Sequence, residues 1–141
     1  GPVFLQLPPY LRRDDERLQG FLDRNAGAAP SGAPRAIAIE FQHDSWRSPE
    51  IDAMLDRHGA VRCVADKDDG SIADALRGGW AYVRLRREHY DDAALDGWLG
   101  RLADAGIADA YVYFKHEDTA SGVFCARRLA QLWAARASVQ P

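Results

Sequence analysis

Three charged residues, Glu40, Asp66 and Arg84, lie at or close to the ends of short apolar runs in the chain. Two neighbouring carboxyl groups can hold different protonation states, which suits them to general acid–base catalysis. An arginine grips a carboxylate or a phosphate through its fork of N–H donors. These residue types point to a site in which an acid, a base and an anion clamp act together, if the fold brings them to one place.

The elements that must position these groups follow a simple order. Apolar runs of strand length recur at 3–7, 35–41, 61–65, 80–86 and 110–114. Segments with helical spacing follow the runs, and the one after the third run, 71–77, is predicted to be a short helix or turn. Strands that alternate with helices are parallel and joined by right-handed crossovers. The order fits about five of the eight units of a TIM-type (β/α) barrel, and it also fits a flavodoxin-like sheet.

Side-chain alternation along the strands favours one of these two folds. In the second run, Ile37, Ile39 and Phe41 share an apolar face, whereas Glu40 and Gln42 share the other face. Helices cover both faces of a doubly wound sheet, whereas the interior of a barrel accepts charged residues near the C-terminal ends of its strands. The pattern therefore predicts an α/β fold in which parallel β/α units form part of a TIM-type barrel.

The third run is assigned by the same rule. Val61, Cys63 and Ala65 are predicted to face the helices, and Val64 and Asp66 to face the barrel interior. This phase would bring the Asp66 carboxylate into one interior space with the other charged residues. There it would either contact a polar ligand or form a structural ion pair with an arginine.

The predicted site lies where the strands end, at the mouth of the barrel. Glu40 is predicted to be the catalytic acid or base, with His43 and Asp66 as its catalytic partners. The predicted substrate-binding residues are Gln6, Gln42, Trp46, Arg84, Arg86, Tyr90 and His116. Aromatic packing is the alternative use of the tryptophan and the tyrosine, and a solvated charged loop is the alternative for the arginines.

A divalent metal is a further possibility for the same end of the fold. Glu40, His43, Asp66 and His116 could supply imidazole and carboxylate ligands to zinc or manganese. Their spacing matches no established ligand motif, so no residue is assigned as a metal ligand. His58 ends a helix and is predicted to cap it rather than to do chemistry.

Composition excludes several classes of protein. The chain has 141 residues, 47% of them hydrophobic and 28% charged, which is typical of a globular protein and long enough for one domain. A formal net charge of −3 argues against a broadly basic nucleic-acid binder. No apolar run approaches about 18 residues, so no membrane span is expected. The two cysteines have no metal-ligand spacing, which favours a reducing cytoplasm.

Five motifs in order make the chain similar to a known family. They are Gly-Pro-Val-Phe-Leu-Gln-Leu-Pro-Pro at 1–9, Ile-Glu-Phe-Gln-His-Asp-Ser-Trp at 39–46, Ala-Asp at 65–66, Tyr-Val-Arg-Leu-Arg at 82–86 with Tyr90, and Val-Tyr-Phe-Lys-His-Glu-Asp at 112–118. On these motifs the chain resembles the YecE-like family of TIM-barrel proteins, a domain of unknown function. The resemblance implies that residues 1–141 are the C-terminal portion of such a barrel and lack its first strands.

The chain departs from the family pattern at its charged positions. Many members carry Arg where Gln42 stands, His-Gly where Arg86 and Arg87 stand, and asparagines where Lys115 and His116 stand. The first difference removes a positive charge near the mouth and the second adds two. The resemblance therefore indicates the architecture more directly than the charge of the ligand.

Two classes of function fit these observations, together with a third interpretation. The leading hypothesis is a hydrolase or lyase that acts on a small anionic or phosphorylated substrate at the C-terminal ends of the strands. The alternative is a nucleic-acid-binding or endonuclease-like barrel, in which arginines contact the backbone and Trp46 contacts a base. The third is an inactive fragment whose open strand edges require self-association or a missing N-terminal segment.

Overall fold

The computed structural model describes residues 1–27, 35–68, 71–72, 74–115 and 121–137, which fall into two compact units, Gly1–Cys63 and Val64–Pro141. The elements are β1 (Val3–Gln6), α1 (Asp15–Asn25), β2 (Ile37–Glu40), a 3-10 helix (Asp44–Trp46), α2 (Pro49–Arg57), β3 (Val61–Ala65), β4 (Trp80–Leu85), α3 (Asp92–Asp104), β5 (Asp109–Phe114) and α4 (Ser121–Ala137).

The strands follow one another in the order β1-β2-β3-β4-β5, with parallel pairing of β1 with β2, β2 with β3 and β4 with β5. This arrangement confirms the predicted α/β class with parallel β/α units. The described residues of 71–77 form no helix, and Asp66 instead makes an isolated antiparallel bridge to Ile72. None of the helices in the described residues is long and apolar enough to cross a bilayer.

In the first unit, one face of β2 packs against α1 and α2. Ile37, Ile39 and Phe41 belong to a buried cluster that also contains Leu22 of α1 and Ile51 of α2. The predicted phase of β2 is therefore confirmed, and Glu40 lies on the face of the strand away from these helices.

Local signals set the bounds of α2 as the sequence predicts. The Ser48 side chain accepts a hydrogen bond from the backbone N–H of Ile51, and Pro49 occupies the first helical turn. The helix ends before Gly59, whose φ of 63° lies in the left-handed region. His58 is the C-cap residue, and its ring also hydrogen-bonds the Asp23 carboxylate at 2.9 Å. This placement supports its structural assignment.

The predicted phase of β3 is wrong. The register pairs Ala38 with Val61 and Ile39 with Arg62, so Arg62 lies on the helix-covered face with Ile39. An ion pair of 2.8 Å with Asp52 of α2 holds the arginine there. Because side chains alternate along a strand, placing Arg62 on the helix side means that every side chain of β3 points to the face opposite to the predicted one.

The second unit has its core on one face of β4 and β5. Val83 and Leu85 pack with Val64, Trp98 and Leu129 in one buried cluster. Val83 and Leu85 therefore lie on the helix-covered face of β4, and Val64 of β3 joins that face rather than the opposite one predicted for it. The large apolar side chains of α4 are only partly buried, since Phe124 is 66% and Trp133 is 44% exposed.

Candidate functional site

The buried carboxylate of Asp66 organises the loop that follows β4. This β4–α3 loop comprises residues 86–90. The Asp66 side chain that holds it is only 1% exposed. Its Oδ1 accepts a hydrogen bond of 2.6 Å from the backbone N–H of Arg86, and its Oδ2 accepts one of 2.6 Å from the hydroxyl of Tyr90. Both ends of the loop are therefore fastened to one side chain at the end of β3.

Tyr90 closes this network from the other side of the loop. Its hydroxyl accepts a hydrogen bond of 3.0 Å from the backbone N–H of Arg87 while it donates to Asp66. Its ring is buried and packs edge-on against Phe114 of β5, with ring centroids 5.6 Å apart. Burial and the hydrogen bond to Asp66 raise the pKa of the Tyr90 hydroxyl above its usual value. This geometry corrects the predicted substrate-binding role of Tyr90, because its ring packs on Phe114 and its hydroxyl is hydrogen-bonded to Asp66 and Arg87.

The cation that accompanies the Asp66 carboxylate is Arg87. Its Nε lies 3.4 Å from Oδ2 of Asp66, and its guanidinium lies over the Tyr90 ring, 4.5 Å from the ring centroid. A buried carboxylate is stable when a cation and hydrogen bonds compensate it. Arg87 therefore compensates the buried charge and stiffens the loop.

Two other side chains of the loop project into solvent. Arg86 and His89 are exposed, and within the described part of the chain neither side chain has a hydrogen-bond or ion-pair partner. The Arg86 backbone is held by Asp66 while its guanidinium is available to an outside group. An anchored backbone with an available guanidinium suits the recognition of an anion, because little order must be gained on binding.

The predicted interior pairing of Asp66 with Arg84 is not found. Arg84 alternates with Val83 and Leu85 and so lies on the face of β4 away from the helices. Asp66 points instead to Tyr90 and Arg87, on the helix-covered side. The two residues meet only through the backbone, where the Asp66 N–H donates to the Arg84 carbonyl at 3.2 Å. Within the second unit, Asp66 thus acts on the β4–α3 loop through its two carboxylate oxygens.

The first unit holds the other predicted acid. Glu40 is buried at the C-terminal end of β2, and the Cys63 thiol lies 4.0 Å from its Oε2. The register places Gln6 directly beside Glu40, so both lie on the same face. Gln42 follows two residues later and is half-buried. Gln6 and Glu40 thus lie side by side at the strand ends of the first unit, and the Cys63 thiol contacts Glu40 because β3 has the opposite phase to the predicted one.

His43 and Trp46 lie in the loop after β2, and each side chain makes a hydrogen bond to backbone of the first unit. The His43 Nδ1 accepts a hydrogen bond of 3.0 Å from the Ser45 N–H and thereby caps the 3-10 helix. Trp46 is 2% exposed, donates from Nε1 to the Leu11 carbonyl at 2.8 Å, and packs against Phe41. The predicted ligand-stacking role of Trp46 is therefore corrected to a core role.

The remaining predictions concern His116 and the metal. His116 lies outside the described residues, so its predicted role stays a prediction. Within 1–27, 35–68, 71–72, 74–115 and 121–137, no group of three or more His, Cys, Asp or Glu side chains could hold a metal ion.

A pair of tyrosines in β5 was missed by the sequence reasoning. Tyr111 and Tyr113 alternate with Val112 and Phe114, and they are 41% and 46% exposed. A period of two with aromatic rings on the face away from the helices was the signal that could have revealed them.

Comparisons with known proteins agree with this architecture. The family model described as "Protein of unknown function DUF72" matches residues 1–141. The chain is similar to a solved structure of a DUF72 family protein from Enterococcus faecalis V583, with 12% sequence identity and a TM-score of 0.67. The match covers 94% of this chain and 61% of that one, so the chain spans less than two thirds of the solved relative. No curated protein matches the chain. The likeness confirms the predicted fold, part of a TIM-type barrel.

Proposed function

We propose that this chain, which belongs to the DUF72 family of proteins of unknown function, binds a small anionic or phosphorylated compound. The compound would bind at the C-terminal ends of the strands, where barrel enzymes carry their sites, and be hydrolysed or cleaved by elimination there. The match spans 61% of the length of the solved relative, so any activity of a whole protein of that length is also a proposal.

The anchored β4–α3 loop is the observation that carries the proposal. Asp66 fixes the backbone of Arg86 and the hydroxyl of Tyr90, and the Arg86 guanidinium remains exposed. His89 adds a second exposed side chain with hydrogen-bonding ring nitrogens to the same loop. A preorganised cationic loop binds an anion with a smaller entropy cost than a mobile one does.

The chemical step would require a proton donor or acceptor besides the anion site. We assign this role to Glu40, because it is a buried carboxyl group at the C-terminal end of a strand, where barrel enzymes carry their catalytic groups. His43 remains its proposed partner through the ring nitrogen that does not cap the 3-10 helix.

The nucleic-acid alternative has lost its aromatic contact in the first unit. Trp46, which it requires to stack on a base, lies in the core and uses its indole N–H internally. A small anion needs only the exposed cations of the second unit, so it is the simpler ligand for this surface.

The experiment is a calorimetric titration of the chain with ribose 5-phosphate, followed by an assay for released phosphate. Arg86→Ala should weaken binding roughly tenfold, because a charge-assisted hydrogen bond to the phosphate is lost. Arg12→Ala removes an exposed arginine of the first unit and is the matched control, which should bind like the wild type.

Turnover tests the catalytic part separately. Glu40→Gln should lower the rate of phosphate release by roughly 100-fold or more if the carboxyl group transfers a proton, while binding is retained. Equal binding by Arg86→Ala and the wild type would refute the anion site. Equal turnover by Glu40→Gln and the wild type would refute the assignment of Glu40.

Two finer assignments belong to the same proposal. We assign the chain to the YecE-like group within its family, on the motifs quoted above. We also place it in a reducing cytoplasm, because Cys63 and Cys125 are both buried and neither forms a disulfide.

A further inference from the structure

The face of β4 and β5 away from the helices is lined by aromatic side chains. Tyr82 stacks on Tyr113, with ring centroids 4.9 Å apart and an interplanar angle of 23°. Trp80 meets Tyr111 edge-on, with centroids 6.0 Å apart. This tyrosine face, defined by Trp80, Tyr82, Tyr111 and Tyr113, lies wholly within the second unit.

The ring of Tyr113 is both supported and accessible. Tyr82 is buried at 7% exposure and covers one side of the Tyr113 ring, yet Tyr113 remains 46% exposed. The supporting ring limits the motion of Tyr113, so its open side is a preformed surface for another flat ring. Such a surface can stack on any nucleobase, whatever its substituents, because every nucleobase has a π-face.

Cations stand beside this ring at the C-terminal ends of the strands. The register places Arg84 directly opposite Tyr113, so both side chains lie on the same face. Two residues further along, Arg86 projects from the anchored loop. Lys115 follows β5 and is fixed there by the hydrogen bond of 2.8 Å from its backbone N–H to the Leu85 carbonyl. A flat ring and a phosphate can therefore be bound side by side.

We propose that the ligand is a nucleotide whose base stacks on the open side of Tyr113 and whose phosphate is held by the exposed guanidinium of Arg86. The inference rests on the proposed anion binding and names its substrate class. Tyr111, two residues earlier in β5, is further from the C-terminal strand ends and is not part of the base platform.

The test compares adenosine 5′-monophosphate with ribose 5-phosphate by calorimetry on the full chain. The nucleotide should bind roughly tenfold more tightly, because only it carries a base that stacks. Tyr113→Leu should remove that advantage and leave the affinity for ribose 5-phosphate within about twofold. Tyr113→Phe keeps the ring and should keep the advantage, and Tyr111→Leu is the position control that should behave like the wild type.

The outcomes separate this inference from the proposed function. Equal affinities for the two phosphates, or an unchanged advantage in Tyr113→Leu, would overturn the nucleotide while leaving the anion site in place. Nucleotide binding that depends on Tyr113 but not on Arg86 would overturn the anion site. Tight binding of the oligonucleotide (dA)12 without binding of the mononucleotide would overturn both in favour of single-stranded nucleic acid. Far-UV circular dichroism shows that each variant is folded.

Discussion

The hydroxyl of Tyr90 donates a hydrogen bond of 2.6 Å to the buried carboxylate of Asp66, which stands 24 residues earlier in the chain. This bond joins the end of β3 to the end of the β4–α3 loop. Because the same carboxylate also holds the backbone of Arg86, the position of the exposed guanidinium depends on it. The stability of the second unit and the proposed anion binding are therefore coupled through one side chain.

Tyr90→Phe tests the structural part of this coupling. The substitution keeps the buried ring and removes a donor to a buried carboxylate, so it should lower the free energy of unfolding by about 2 kcal/mol. Urea titration at neutral pH measures this change. Tyr10→Phe alters a tyrosine that is 81% exposed and should stay within about 0.5 kcal/mol of the wild type. If both variants unfold at the wild-type midpoint, the hydrogen bond contributes nothing.

Alkaline pH should destabilise the protein through the same residue. Burial and the bond to Asp66 raise the pKa of Tyr90 above 10.0, so the folded state keeps a proton that the unfolded chain releases. The contribution is fully present below about pH 10 and is lost as the pH rises towards the raised folded value. Urea midpoints between about pH 8 and 11 should fall more steeply for the wild type than for Tyr90→Phe. Parallel slopes would contradict the shift.

Asp66→Asn distinguishes positioning from simple electrostatics. Removing a negative charge near Arg87 should strengthen anion binding if charge alone matters. If Asp66 acts by holding the Arg86 backbone, the affinity for ribose 5-phosphate should instead fall roughly fivefold, which corresponds to a coupling of ~1 kcal/mol. Calorimetry at about pH 7 decides, and Tyr90→Phe should show the same direction if Asp66→Asn is too unstable to measure. Tighter binding by both variants would refute the positioning role.

Trp46→Phe tests the reassignment of this tryptophan to the core. Loss of the indole N–H leaves the Leu11 carbonyl without its 2.8 Å donor, and the smaller ring packs less well against Phe41. The free energy of unfolding should fall by about 1–3 kcal/mol. The affinity for ribose 5-phosphate should remain within about twofold of the wild type. A large loss of affinity in a stable variant would restore the ligand-stacking role.

The sequence predicts the strands well where one face is clearly apolar. In β2, Ile37 and Ile39 alternate with the small Ala38 and the polar Glu40, and in β4, Val83 and Leu85 alternate with Arg84, so the helix-covered faces follow from hydropathy. In β3 both faces carry apolar residues, and the only strongly polar residue within the strand, Arg62, is held on the helix side by Asp52. That ion pair depends on tertiary structure, so alternation could not reveal it.

The strand-end positions of the candidate site residues could be predicted from the sequence, but the hydrogen bonds between them could not. Placing polar residues at strand ends follows from the parallel fold, and Glu40, Gln6 and Asp66 are found at such ends. The hydrogen bonds from Tyr90 and Arg86 to Asp66 join residues 24 and 20 positions apart, and no local pattern encodes them. Strand-end placement by itself therefore predicts a catalytic role for Asp66, whereas its two oxygens accept hydrogen bonds from Arg86 and Tyr90 of the loop.

The most direct test of the anchored cationic loop is a ¹⁵N NMR titration of the full chain with ribose 5-phosphate. We expect the largest saturable shifts at the backbone amides of residues 86–90, and we expect Arg86→Ala to need roughly tenfold more ribose 5-phosphate to saturate them while the rest of the spectrum is retained. Shifts that are absent, or that are spread over unrelated parts of the chain and unchanged in Arg86→Ala, would contradict the account.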